Sequence, residues 1–241
     1  MCMEKSRLLI LIVFLNPGIL LASKKDTTVN FADAKTSFLK QQVLPLTLMA
    51  TGGLLYIGDI KENIQSKFPS TSTSIDNILE YTPMVQIYAY DALGFKHKSS
   101  VWDQTKYLLI SQLISAPTVQ ILKGITKVKR PDGSNNYSFP SGHTANAFTG
   151  ATVLYHEFKD TEPLLAWSGY MVATATGILR ITNNEHWLPD VLVGAGIGII
   201  SANLVYHFEP LKNWQPFKNK NKDIAFAPLI SPASVGLHVR F

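Results

Sequence analysis

Residues 191–206 read VLVGAGIGIISANLVY, sixteen positions without a charge. Three other uncharged stretches, 41–58, 107–122 and 164–179, share that character, each with charged residues close by. Apolar runs of this length suit helices, and strand-like alternation is nearly absent before residue 220, so the body of the chain predicts an all-α fold. A helix rises 1.5 Å per residue, so sixteen residues cover about 24 Å of a hydrocarbon core near 30 Å. The runs are also diluted by Ser, Thr, Gln and Gly. Two readings follow: short membrane helices whose ends carry functional charge, or interior helices of a soluble bundle. The first is preferred, and the expected architecture is a membrane-associated bundle of about six helices with a short β-prone C-terminal tail.

Composition points the same way. Of 241 residues, 16% are charged and 46% hydrophobic, where a soluble domain carries about 25% charge. Lys and Arg outnumber Asp and Glu, 22 to 17, for a net charge of +5. The single cysteine, Cys2, excludes internal disulfides and cysteine-based metal clusters within the chain. Any chemistry must come from His, Lys, Arg, Asp, Glu, Ser or Tyr.

The N-terminus has Lys5 and Arg7, then an apolar run from Leu8 to Leu15, a break at Asn16-Pro17-Gly18, and a second run to Ala22 before Lys24-Lys25. That is the layout of a secretory signal peptide or an uncleaved anchor, and export is expected either way. The expected organisation is signal or anchor at 1–23, a polar or amphipathic lead-in at 24–40, a helical body at 41–210, and a basic linker and tail at 211–241. Helix ends are expected at Pro45, Gly58-Asp59, Asp160 to Pro163 and Glu209-Pro210, and a solvated loop at 69–74. Val235, Leu237, Val239 and Phe241 alternate with polar or small residues, which suits one hairpin used for packing or attachment.

Polar residues gather where the apolar runs end. Lys123, Arg130 and Pro131 close one run. Phe139-Pro140-Ser141-Gly142-His143 opens the next. Arg180 closes a third, and His186-Trp187-Leu188-Pro189-Asp190 opens the last. If the runs are helices, the three clusters can meet at one end of a bundle, giving three cations, two histidines and one nearby carboxylate. Cations without matching acids imply an anionic ligand, and guanidinium forks suit phosphate oxygens. Ser141 and Gly142 would stand at a helix N-terminus, where free backbone N–H groups favour an anion. Imidazole beside phosphate can attack phosphorus or carry a proton. Asp190, four residues after His186, could fix its tautomer. No carboxylate cluster suggests a divalent metal, so the cations would supply the charge stabilisation.

Lys123-x6-Arg130-Pro131, Pro140-Ser141-Gly142-His143 and Arg180-x5-His186-x3-Asp190 together resemble the three-part signature of the type-2 phosphatidic acid phosphatase and vanadium haloperoxidase superfamily. The resemblance spans 123–190, and the helical surroundings from about 41 to 208 fit the family bundle. It implies His186 as nucleophile forming a phosphohistidine, Asp190 as its orienting partner, and His143 as the acid that protonates the leaving oxygen and then activates water. Lys123, Arg130, Arg180, Ser141 and the Gly142 amide would hold the phosphoryl oxygens. The family's third motif usually begins Ser-Arg, whereas Leu179 precedes Arg180 here; Thr182 could replace the missing hydroxyl. His97, His156, His207 and His238 lie outside the signature and are read as structural.

The expected function is a phosphatase of the cell envelope, without cofactor or metal. It would act on a phosphate monoester or pyrophosphate of a lipid, with its site on the periplasmic side and no nucleic-acid partner. The alternatives are a soluble periplasmic acid phosphatase of broad specificity, a vanadate-dependent haloperoxidase, and a non-catalytic binder of anionic lipid.

Overall fold

The computed structural model describes residues 31–208, Trp214, 225–231 and 234–240. The chain forms two compact units, Met1–Val43 and Leu44–Phe241. The expected signal or anchor, residues 24–30 of the lead-in and nearly all of the basic linker lie outside the described residues. The described part of the first unit is helical from Phe31 onward.

Eight helices occur among the described residues: α1 Phe31–Leu54, α2 Ile60–Gln65, α3 Asp76–Leu79, α4 Thr82–Ala92, α5 Val101–Thr126, α6 Gly142–Phe158, α7 Pro163–Thr182 and α8 Leu188–His207. The expectation of about six is short by α2 and α3, which are too brief for apolar periodicity to register. Pro45 was expected to mark a helix end, yet it lies inside α1. Proline lacks only one N–H, and the rest of the ladder carries the helix past it. The turn at Gly58 does occur, with a left-handed φ of +60° that glycine adopts without strain. β1 Ala225–Ser231 and β2 Ser234–Arg240 form an antiparallel hairpin, Ala225 opposite Arg240.

In the second unit α6 is the central helix, packed by α4, α5, α7 and α8. It is buried along most of its length, as is α8. Ile87, Tyr107, Val153, Leu154, Phe158 and Val205 make one core cluster; Val119, Ala145, Val193 and Ile197 make another, nearer the polar end. Small residues set the fit of α6 on α8. A methyl group at Gly194 would lie 2.5 Å from the Ser141 carbonyl oxygen, and one at Gly198 would lie 2.5 Å from that of Ala145. The two backbones therefore touch along one face of α8, and the start of α6 is seated over its first turn.

Helices α5, α7 and α8 are long and apolar enough to cross a membrane. α8 is 89% buried over its most apolar window, whereas α5 and α7 turn Leu109, Leu113, Ile121, Ile125, Leu164 and Met171 outward. An apolar surface of that extent suits lipid and not water. The protein is membrane-associated.

Candidate active site

Each site residue stands at a helix boundary that the local sequence creates. α5 ends at Thr126, with Lys123 in its last turn and Lys127 in the left-handed conformation. The Lys123 ammonium donates to the Tyr137 carbonyl at 2.5 Å, tying the following loop back onto the helix. Ser141 caps α6, its Oγ accepting from the Thr144 N–H at 3.4 Å and hydroxyl at 2.9 Å, and Gly142 and His143 open the helix. At the end of α7, Asn184 takes a left-handed φ of +57°, which Asn tolerates. That turn lets the N–H groups of Glu185 and His186 both donate to the Arg180 carbonyl, at 3.1 and 3.2 Å.

Asp190 lies in the first turn of α8, which Pro189 can enter without losing a bond. Its carboxylate is saturated. Oδ2 accepts from the Trp187 N–H at 2.9 Å, stands 3.3 Å from His186 Nδ1 and accepts from the Ser138 hydroxyl; Oδ1 accepts from the Tyr56 hydroxyl. Asp190 thus serves the helix end and the imidazole together. The Asp190 carbonyl accepts from the Ser141 N–H at 3.0 Å, joining the starts of α6 and α8.

The two arginines have acids, which corrects the expectation that all three cations lack them, whereas Lys123 donates only to the Tyr137 and Ser138 carbonyls among the described residues. Glu185 Oε2 accepts from Arg130 at 2.9 Å and also from Arg180, so one carboxylate bridges the two guanidinium groups. Arg180, only 2% exposed, donates as well to Asp76 of α3, itself fully buried. Nε of Arg130 and Nε of Arg180 are buried with no hydrogen-bond partner among the described residues. His143 Nε2 faces Asn77 Oδ1 at 2.8 Å and Glu80 Oε1 at 3.3 Å. Tyr56, Asp76, Asn77 and Glu80 were missed by sequence reasoning. They come from a segment with no fixed spacing to the three clusters, and no signal in the chain singles them out.

Burial lowers the pKa of His186 to about 4, against the opposing pull of Asp190, and Lys123 and Arg180 push the same way as burial. Burial also lowers His143 to about 4, aided by Arg180, His186 and Arg130 and opposed by Asp76. Both rings are neutral at pH 7. The His186 charge acts on His143, and Arg180 acts on both rings, so the two imidazoles lie near that one cation. Burial and the Asp190 charge raise the Tyr56 hydroxyl well above its ordinary value, so it stays protonated and donates to Asp190.

Thr182 does not supply the missing hydroxyl: its Oγ donates to the Leu179 carbonyl at 3.2 Å and accepts from Thr71 at 3.0 Å. Thr71 belongs to the expected loop at 69–74, which is thereby laced to the end of α7. His156 bonds Asn203 at 2.8 Å and stacks on Tyr206, a structural role as expected. Beside Arg130 a cavity of about 470 Å³ is lined by Lys61, Glu62, Lys129, Pro131, Asp132 and Trp187, among others. No group of three or more His, Cys, Asp or Glu arranged to hold a metal occurs among the described residues.

A family model described as the PAP2 superfamily matches residues 101–214. Those residues are similar to the PAP2 superfamily. The PAP2 region takes in α5 to α8 and all of Lys123, Arg130, Ser141, Gly142, His143, Arg180, His186 and Asp190, while Tyr56, Asp76, Asn77 and Glu80 precede it. A lipid A 1-phosphatase of Porphyromonas gingivalis is 36% identical over 146 residues, covering 59% of this chain and 32% of that protein. The bacitracin transport permease protein BcrC of Bacillus licheniformis is 36% identical over 73 residues, 30% of this chain and 34% of that protein. The chain thus spans about a third of the length of these curated relatives. Among solved structures, Aquifex aeolicus LpxE matches at 20% identity with a TM-score of 0.44, covering 78% of this chain and 100% of that one. A PAP2-type phosphatidylglycerolphosphate phosphatase of Bacillus subtilis matches at 19% identity and a TM-score of 0.42, covering 78% and 98%.

Proposed function

We propose that the protein is a metal-independent PAP2 phosphatase that removes phosphate from a phosphomonoester or pyrophosphate of a lipid, through a phosphohistidine, on the exported face of the membrane. The observation that carries this reading is the pair of guanidinium groups, Arg130 and the fully enclosed Arg180, each with a buried and unsatisfied Nε, beside the His186–Asp190 pair. Unsatisfied buried donors are costly, and tetrahedral phosphate oxygens would satisfy them. The apolar faces of α5 and α7 and the similarity to a lipid A 1-phosphatase favour a lipid substrate, and lipid A is the first to assay. Residues 41–210 would form the phosphatase body, and a signal or anchor at 1–23 would deliver it to the outer side of the membrane.

In this mechanism Asp190 holds the His186 Nδ1 proton, leaving Nε2 with its lone pair toward phosphorus. Nε2 attacks, the bond from phosphorus to the lipid oxygen breaks, and His143 gives that oxygen a proton. His143 then takes a proton from water, whose oxygen attacks the phosphohistidine and releases inorganic phosphate with His186 restored. Lys123, Arg130, Arg180, Ser141 and the Gly142 N–H would hold the charge that builds on the equatorial oxygens. The incoming phosphate offsets the surrounding cations, and so lets His143 take up the proton it must donate.

The deciding experiment is phosphate release by purified protein from lipid A, phosphatidate, phosphatidylglycerol phosphate and undecaprenyl diphosphate, with and without EDTA and vanadate. Release that survives EDTA, is blocked by vanadate and disappears in His186→Ala is expected. Failure on every ester tried would refute the reading.

A further inference from the structure

We propose that Glu80 is the positioning residue of His143, its carboxylate pairing with ring Nε2 so that the proton used to expel the lipid oxygen is held on the imidazole. The inference rests on the phosphatase reading for its chemistry, although the pairing itself is testable without turnover.

The two groups facing His143 Nε2 are both oxygens that accept: Asn77 Oδ1 at 2.8 Å and Glu80 Oε1 at 3.3 Å. Nε2 therefore carries hydrogen in the resting ring, and Nδ1 is the nitrogen left for substrate. For His143 to act as an acid, Nδ1 must gain a second proton, and the resulting imidazolium needs a counter-charge. Glu80 is the carboxylate in reach. Its other oxygen accepts from Asn146 Nδ2 at 3.0 Å, and Asn146 sits one turn after His143 on the same helix, which fixes the angle at which the carboxylate meets the ring. Asp76, Arg180, His186 and Arg130 also act on His143, and Asp76, Arg180, Asn146 and Tyr81 act on Glu80.

Glu80 is only 8% exposed, and the ion-pair partner it has among the described residues is His143. A buried carboxylate is costly until an opposite charge arrives, and burial raises its pKa accordingly. The imidazolium that forms during turnover is that charge. His186 with Asp190 and His143 with Glu80 are then two copies of one device, an imidazole with a carboxylate on the nitrogen turned away from phosphorus. The carboxylate of the second pair comes from α3 and its flank, outside the matched PAP2 region.

A merely structural Glu80 would tie α3 to α6 through Asn146, and Glu80→Gln keeps that acceptor. The test is kcat/KM of Glu80→Gln on detergent-solubilised full-length protein, with aryl phosphates of graded leaving-group pKa. Loss of acid catalysis costs about 10²–10⁴-fold where the leaving oxygen needs a proton. A loss of at least about tenfold is expected for phenyl phosphate and little change for 4-nitrophenyl phosphate, whose phenolate leaves unaided. His143→Ala should show the same pattern, and the double variant should be no worse than His143→Ala alone. An equal loss across the series would overturn the proposal. Independently of activity, the His143 ring followed by ¹⁵N NMR, assigned by its disappearance in His143→Gln, should titrate at lower pH in Glu80→Gln than in the wild type. Coincident titrations would overturn the pairing. Wild-type protein that cleaves no ester, with titrations still separated, would sink the phosphatase reading while leaving the pairing intact.

Discussion

His186 is fixed at one nitrogen by Asp190, and that carboxylate is fixed in turn by Ser138, Trp187 and Tyr56. Stability should reflect the buried neutral ring. The unfolded imidazole binds its proton near pH 6.5 and the folded one only near 4. Between those values the unfolded chain holds a proton that the folded chain lacks, so stability falls as pH drops through this window. The gap is worth about 3 kcal/mol. Thermal unfolding in detergent should show Tm dropping from pH 6.5 to 4, and His186→Gln should flatten that slope; an unchanged slope would mean that the ring is not held neutral. Activity has the same origin, so the acid limb of kcat/KM should lie near pH 4. Removing the Tyr56 hydroxyl in Tyr56→Phe should lower kcat about tenfold or more with a small change in KM, because the bond it loses holds Asp190, which in the proposed mechanism orients His186. The residues that the structure brings together around these rings were legible in the chain because they stand at fixed spacings. The groups that orient them were not: Tyr56 and Asp190 are 134 positions apart, and nothing local encodes their meeting.

Among the elements, α6 and α8 set the geometry, and their closeness depends on glycine. A methyl group at 194 would strike the Ser141 carbonyl and lift the start of α6 from Asp190. Gly194→Ala should therefore cut kcat about 10²-fold or more through misplacement alone, a loss that Gly53→Ala should not reproduce, since nothing lies within 4 Å of that position. Comparable losses in both would show that the contact does not control the site. The long helices were readable from their apolar runs, and the hairpin from its alternation. α2 and α3 were not, being six and four residues long. Pro45 misled because a proline usually ends a helix, and here it does not.

For the whole molecule, apolar content separates into two uses that sequence alone leaves mixed. The run at 191–206 is the most apolar and also the most buried, so it serves the core, while the milder faces of α5 and α7 look outward. The choice between membrane and soluble bundle could not be made from hydropathy for that reason. The outward faces predict that purified protein partitions into the detergent phase and loses activity when detergent is removed below its micellar concentration. Replacing Leu109, Leu113, Ile121 and Ile125 together by Gln should shift it toward the aqueous phase. Full retention in the detergent phase would mean that other surfaces make the attachment.

The bridge that Glu185 makes between Arg130 and Arg180 also bears on how a cycle ends. A released orthophosphate would leave two guanidinium groups that an internal carboxylate is ready to reclaim, so the protein carries its own competitor for rebinding. Glu185→Gln should then hold product longer, with a Ki for orthophosphate at least about tenfold lower than in the wild type, whereas an unaltered Ki would mean the bridge opens at no cost. An enzyme built this way would keep turning over in a compartment where its own product accumulates.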